Sequence, residues 1–299
     1  MDSDERGLDS ILLEMEKNGA SDVYITEDRE VSYKIEGRIE KTDLYMSKSD
    51  VQLAIERLTG GKAGLVDIYE PAEKDGSYAL YDGEKLRHYR YNAALADGYL
   101  HVTVRKLISE PPSLEYVLLH EGKGKEFLER FLGEEEGIYL ISGATRSGKS
   151  TTAVAMLHTL LLERSVKTVT LEEPIEFRFD PLLYPKSEII QREVGRDTKS
   201  FYEGLRAAMR QSPDYIFVGE IRDAKTAEAA IAASLTGHVV LGTVHASGVE
   251  ETYSRMRRLA GEAAEDLRWT LKGVAFQRLG VDPQGRLKLH REIKIIDES

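Results

Sequence analysis

No cysteine occurs among the 299 residues. Disulfides and thiolate metal sites are thereby excluded, and the composition suits a reducing compartment. Positive charge is also in short supply: 52 acidic residues against 41 basic ones leave a formal net charge of -11. Binding along a phosphate backbone needs a surplus of Lys and Arg, so no nucleic-acid partner is expected. No apolar run approaches the roughly 20 residues that span a bilayer. The start, MDSDERGLDS, is acidic and polar, unlike a signal peptide. Membrane association is therefore expected only through a protein partner. What is there is an ordinary globular mixture, 41% hydrophobic and 31% charged, and the length suggests two domains.

The first hundred residues read as a small α+β unit. Leu8, Ile11, Leu12 and Met15 recur at helical spacing, and Gly19 ends that helix. VYITEDREVSYKIEGRIEKT alternates apolar and polar residues, which predicts two or three short strands with turns at Glu27-Asp28 and Gly37. Ser47 to Gly60 predicts a helix capped by Ser49 or Asp50, and Tyr78 to Val104 more strands with turns at Asp82-Gly83 and Asp97-Gly98. Ser109-Glu110-Pro111-Pro112 is the clearest boundary, because two prolines stop a helix and stiffen a connection. The expected division is residues 1–108, a linker at 109–114, and a second domain at 115–299. In that second domain a helix is expected near Tyr116 to Leu132. Short apolar runs (IYLI, KTVTL, YIFV, HVVLGTV) then alternate with helical segments, which predicts a parallel α/β sheet buried on both faces.

The most informative segment is Gly143-Ala144-Thr145-Arg146-Ser147-Gly148-Lys149-Ser150, followed by Thr151. It fits G-x-x-x-x-G-K-[ST] and stands between a predicted strand, IYLIS, and a predicted helix from Lys149 to about Glu163. Glycines let the backbone curl so that its N–H groups converge on a phosphate. The helix N-terminus adds positive potential. Lys149 supplies a point charge for the β- and γ-phosphates, and the Ser150 hydroxyl can ligate Mg²⁺. ATP and Mg²⁺ are the expected ligands.

Phosphoryl transfer also needs a metal holder and a group that orients the attacking water. Glu172-Glu173 and Glu220 each follow an apolar strand, where ligands bind in open α/β sheets. Acids after strands also serve as plain turn residues or helix caps. His238 opens and His245 closes the next run. His245, ending a strand that could lie beside that of Glu220, would suit a γ-phosphate sensor, although a lone histidine is commonly structural.

Taken in order, GATRSGKST, TLEEPIEF, PDYIFVGEIRDAKTAEAAIAA and TGHVVLGTVHA resemble the Walker A, acidic, Walker B and histidine boxes of the PilT/GspE-type secretion and pilus motor ATPases. GASDVYITEDREVSYKIEGRI resembles the start of that family's N-terminal PAS-like domain. The resemblance implies a RecA-like P-loop ATPase core behind a smaller N-terminal α+β domain, and a hexameric ring. It also implies an inner-membrane platform protein as partner and work at the cytoplasmic face of that membrane. Residue by residue, it implies Glu172 as general base, Glu220 acting on Mg²⁺, His245 as γ-phosphate sensor, and Arg90 and Arg105 as N-terminal arginines reaching the triphosphate. The chain departs from the pattern in places. Arg146 replaces the usual glycine, Glu173 replaces Asp, and ALADGYL lacks a third arginine. The absence of cysteine removes the zinc module of many assembly motors, so the short, retraction-type layout is the closer one. HREIKIIDES ends before the helical extension of those motors. A ring that binds nucleotide with little hydrolysis is the alternative reading, and a P-loop kinase or nucleic-acid motor a more distant one.

Overall fold

The computed structural model describes residues 7–60, 73–83, 86–107, 110–281 and 287–296. Ser109 of the expected linker, the first six residues and the last three lie outside them. The chain forms two compact units, Met1–Ser109 and Glu110–Ser299.

In the first unit the described strands form an antiparallel sheet. They are β1 (Asp22–Thr26), β2 (Arg29–Ile35), β3 (Arg38–Met46), β4 (Lys74–Tyr81), β5 (Leu86–Ala96) and β6 (Tyr99–Lys106), in the order β3-β2-β1-β6-β5-β4. Asp28 and Asp97 take left-handed φ values of 57° and 53° in the tight turns, a region that Asp tolerates better than most residues. Two helices, α1 (Leu8–Lys17) and α2 (Lys48–Thr59), contribute Leu8, Ile11, Leu12, Met15, Val51, Ile55 and Leu58 to the core under this sheet. The cap of α2 is Ser47 rather than Ser49 or Asp50. Its hydroxyl accepts from the Asp50 N–H while the Asp50 carboxylate accepts from the Ser47 N–H, a reciprocal arrangement that satisfies two otherwise orphaned donors.

In the second unit the described strands form a seven-stranded sheet. Its strands are β7 (Gly137–Ser142), β8 (Lys167–Glu172), β9 (Glu188–Glu193), β10 (Tyr215–Val218), β11 (Val239–Val244), β12 (Leu271–Val281) and β13 (Leu287–Ile295), ordered β13-β12-β7-β11-β10-β8-β9. The four predicted apolar runs are the four parallel central strands β7, β11, β10 and β8. Their residues alternate between two cores: Tyr139, Ile141, Tyr215 and Phe217 on one face, Ile138, Leu140, Ile216 and Val218 on the other. Burial on both faces is why no polar alternation is visible in these runs.

One face carries α3 (Gly122–Gly133) and α4 (Lys149–Glu163); the other carries α5 (Phe201–Ala208), α6 (Ala224–Ser234), α7 (Val249–Ala260) and the short α8 (Leu267–Thr270). The helix α3 starts six residues later than Tyr116. Leu118 and Gly122 both take a φ of 53°, which breaks helical continuity. Gly124 also packs so closely on the Leu118 carbonyl that a side chain there would collide with it.

At the other end of α3 the Tyr215 hydroxyl lies 3.1 Å from the carbonyls of Phe131 and Glu134, and its ring packs edge-on to Phe131 at 5.2 Å. Tyr215 thus satisfies helix-end acceptors that have no intrahelical partner. Replacing it with Phe leaves the ring and removes the donor, and Tyr215→Phe should lower stability by about 1–2 kcal/mol. Chemical denaturation of the two proteins measures this; equal midpoints would mean that water replaces the hydroxyl.

Candidate functional site

The phosphate loop joins β7 to α4. Gly143, Arg146 and Gly148 take φ values of 152°, 63° and 85°, so the loop turns through left-handed backbone three times. Glycine adopts this without penalty. For Arg146 the same conformation costs on the order of 1 kcal/mol, and its side chain is exposed. Gly143 also admits no Cβ, because one would strike the Gln277 carbonyl oxygen. The N-terminus of α4 has no side-chain cap, leaving its first N–H groups available to an anion. Lys149 is buried, with Nζ donating to the carbonyls of Gly143 at 3.0 Å and Ala144 at 2.9 Å. Desolvation lowers its pKa, against the opposing pull of Glu220 and Glu176.

Beside the loop a cleft of about 280 Å³ is lined by Thr145, Arg146, Lys149, Ser150, Glu172, Glu173, Glu176, Glu220 and His245, among others. The sheet brings these together because β7, β11, β10 and β8 run parallel as neighbours and all end on this side. Glu172 closes β8, Glu220 follows β10 and His245 follows β11. His245 Nε2 lies 3.4 Å from Glu220 Oε1. Glu173 turns to Arg222, with 2.8 Å between Oε2 and Nη2, and so has a partner of its own.

Glu172 is 7% exposed. One of its oxygens, Oε1, accepts from the Thr170 hydroxyl at 2.6 Å and from the Gln191 amide at 3.1 Å. Burial pushes its pKa up to about 7, although both hydrogen bonds and the charge of Arg178 pull the other way. A carboxyl so placed can take a proton near neutrality.

Arg90 and Arg105 belong to the first unit. They face each other directly across β5 and β6, and Asp22 on β1 is the next residue in that row. Arg105 Nε donates to Asp22 Oδ1 at 2.6 Å while the arginine side chain remains 62% exposed. Arg90 lies 4.0 Å from Asp75. His238 is buried, with Nδ1 bonded to the Ala233 carbonyl, a structural role.

Sequence reasoning missed the support behind the loop. Gln277, wholly buried on β12, donates through Nε2 to the Ser147 carbonyl at 2.8 Å and accepts at Oε1 from the Thr152 hydroxyl at 2.9 Å. Arg291 on β13 donates to Thr152 Oγ1 and Gln277 Oε1, both at 2.8 Å, and to the Val117 carbonyl. The available signal was a lone glutamine in the apolar run VAFQRL. A second cleft, of about 320 Å³, lies on this side, lined by Tyr116, Leu118, Gly148, Thr151, Gln277, Leu279 and Lys288 among others.

A family profile described as "Type II/IV secretion system protein" matches residues 2–287. The chain belongs to the type II/IV secretion system protein family. Within this family it is 33% identical to the type IV pilus retraction ATPase PilT of Pseudomonas aeruginosa over 241 residues, covering 80% of this chain and 67% of that one. It is 34% identical to type II secretion system protein E of Pectobacterium carotovorum, covering 92% of this chain but 54% of that longer protein. A crystal structure of the pilus retraction motor PilT with bound ADP superposes with a TM-score of 0.85 at 31% identity, covering 98% of this chain and 84% of that one. Family membership carries the RecA-like ATPase core with an N-terminal domain, and the PilT superposition the retraction-type layout. Among the described residues no helix is long and apolar enough to cross a membrane.

Proposed function

We propose that this protein is an ATP-hydrolysing motor subunit that works as a hexameric ring, powering a type IV pilus or type II/IV secretion machine. The observation that carries this reading is the convergence of the phosphate loop, Glu172, Glu220 and His245 in one cleft. In this reading residues 1–108 form the PAS-like domain, 109–114 the linker and 115–299 the ATPase domain. The ring docks on an inner-membrane platform protein at the cytoplasmic face. The net charge of -11 supports a protein partner over nucleic acid.

The residues suit a magnesium nucleotide: the α4 N-terminus is uncapped, Lys149 bonds to loop carbonyls that phosphates can replace, and Glu220 stands across the cleft. The loop N–H groups from Gly143 to Thr151 cradle the phosphates, and Lys149 spans the β- and γ-groups. Ser150 and Glu220 would hold the Mg²⁺, which would supply charge neutralisation for phosphoryl transfer. Glu172 takes the proton of the attacking water. His245, beside Glu220, reports whether the γ-phosphate is present. Arg90 and Arg105 supply positive charge to the triphosphate.

Purified protein with ATP and Mg²⁺ should release phosphate at least tenfold faster than Glu220→Gln. Equal release from both proteins, with ADP still bound, would instead support the ring that binds nucleotide without turning it over. The strained Arg146 is the feature that favours this second reading.

A further inference from the structure

Arg291 carries a charge that no described residue balances. Among the described residues its guanidinium meets only neutral acceptors: the Val117 carbonyl, the Thr152 hydroxyl and the Gln277 side-chain oxygen. Its Nε has no hydrogen-bond partner. Burial brings its pKa down to about 10, with no carboxylate opposing that shift. Arg291 is half-buried, and a cation taken partly out of water is commonly paired, because the hydration it loses is otherwise not replaced. Here the guanidinium is two hydrogen bonds behind the phosphate loop: Arg291 to Gln277 Oε1, then Gln277 Nε2 to the Ser147 carbonyl. The same side chain holds Thr152 in the first turn of α4 and Val117 in the segment that lines the second cleft.

We propose that Arg291 is a positioning residue of the nucleotide site, whose unneutralised charge and grip on Gln277 hold the phosphate loop ready for an anion. The counter-charge missing in the free protein is then the polyphosphate itself. This inference rests on the nucleotide site described above. It requires that charge, more than the forked geometry of the guanidinium, matters for binding.

The test is ADP titration calorimetry on the full chain, comparing the original protein with Arg291→Lys, Arg291→Met and Arg291→Gln, each checked for cooperative thermal unfolding. Lysine keeps the charge and loses the fork. The two neutral variants should bind ADP about tenfold more weakly, as expected for one charge acting through a partly screened interior. Arg291→Lys should stay within about threefold of the original. Equal loss in Lys and Met would overturn the charge argument in favour of geometry alone, and unchanged affinity in Met would overturn the proposal outright. Failure of both neutral variants to fold would also overturn it, since an unbalanced charge should be dispensable for folding. If the original protein bound no ADP, the nucleotide site itself would be refuted, and this inference with it.

Discussion

Glu172→Gln should lower phosphate release by about a thousandfold while leaving ADP affinity within about threefold. The substitution keeps the volume and the hydrogen-bonding shape of the side chain but removes its ability to accept a proton, a contribution of about 10² to 10⁴ in rate. The pH dependence follows from the burial of the group. Its pKa of about 7 leaves roughly a tenth of the carboxyls ionised at pH 6 and most of them at pH 8. Turnover in the original protein should therefore rise through neutrality. The sign for stability is opposite. A carboxyl whose folded pKa is raised above its unfolded value favours folding while protonated, and that contribution is lost as pH climbs from the ordinary carboxylate range through about 7. Glu172→Gln cannot ionise, so its melting temperature should gain on that of the original protein between pH 5 and pH 8. Turnover that is flat across neutrality would remove Glu172 as the base.

Arg105→Ala should lower kcat by about a thousandfold, with ADP affinity again within about threefold. Arginines that meet transferring phosphoryl groups contribute on this scale in other P-loop enzymes. The geometry favouring this is the row across β1, β6 and β5. Arg105 and Arg90 are directly opposite each other, an arrangement of like charges that costs energy in a sheet. Asp22, 3% exposed, holds Arg105 by one nitrogen and leaves the rest of the fork outward. Among the described residues Arg90 has only a 4.0 Å approach to Asp75, an exposed contact of little strength. Two adjacent, partly unsatisfied guanidinium groups suit an anion brought to them. Steady-state phosphate release and an ADP titration measure the split, and full activity in Arg105→Ala would exclude this residue from the reaction.

Much of this was legible in the chain, and the exceptions have physical causes. The loop from Gly143 to Thr151 could be read because its chemistry demands particular residues at fixed spacing. The strands ending at Glu172, Val218 and Val244 could be read because central parallel strands are apolar on both faces. The start of α3 was misread because the apolar spacing from Tyr116 onward is helical, while the break is made by Leu118, a residue with no local signature for left-handed backbone. The β9 and β13 strands escaped notice because EIIQRE and LKLHREIKI carry the mixed polar and apolar pattern of strands at a sheet edge. The links from Arg291 to Thr152, 139 residues apart in the chain, and from Gln277 to Ser147, 130 apart, exist only once β12 lies beside β7. No local pattern encodes such a contact.

The strand order has one more consequence. From β7 to β8 there are three ladder steps, through β11 and β10, and each step is about 4.8 Å. The backbone therefore acts as a ruler: the loop, His245, Glu220 and Glu172 are set at fixed intervals over about 14 Å. Side chains can adjust only the last few ångströms of that span. Shortening Glu172 by one methylene would withdraw its carboxylate by a distance that no neighbouring strand can make up.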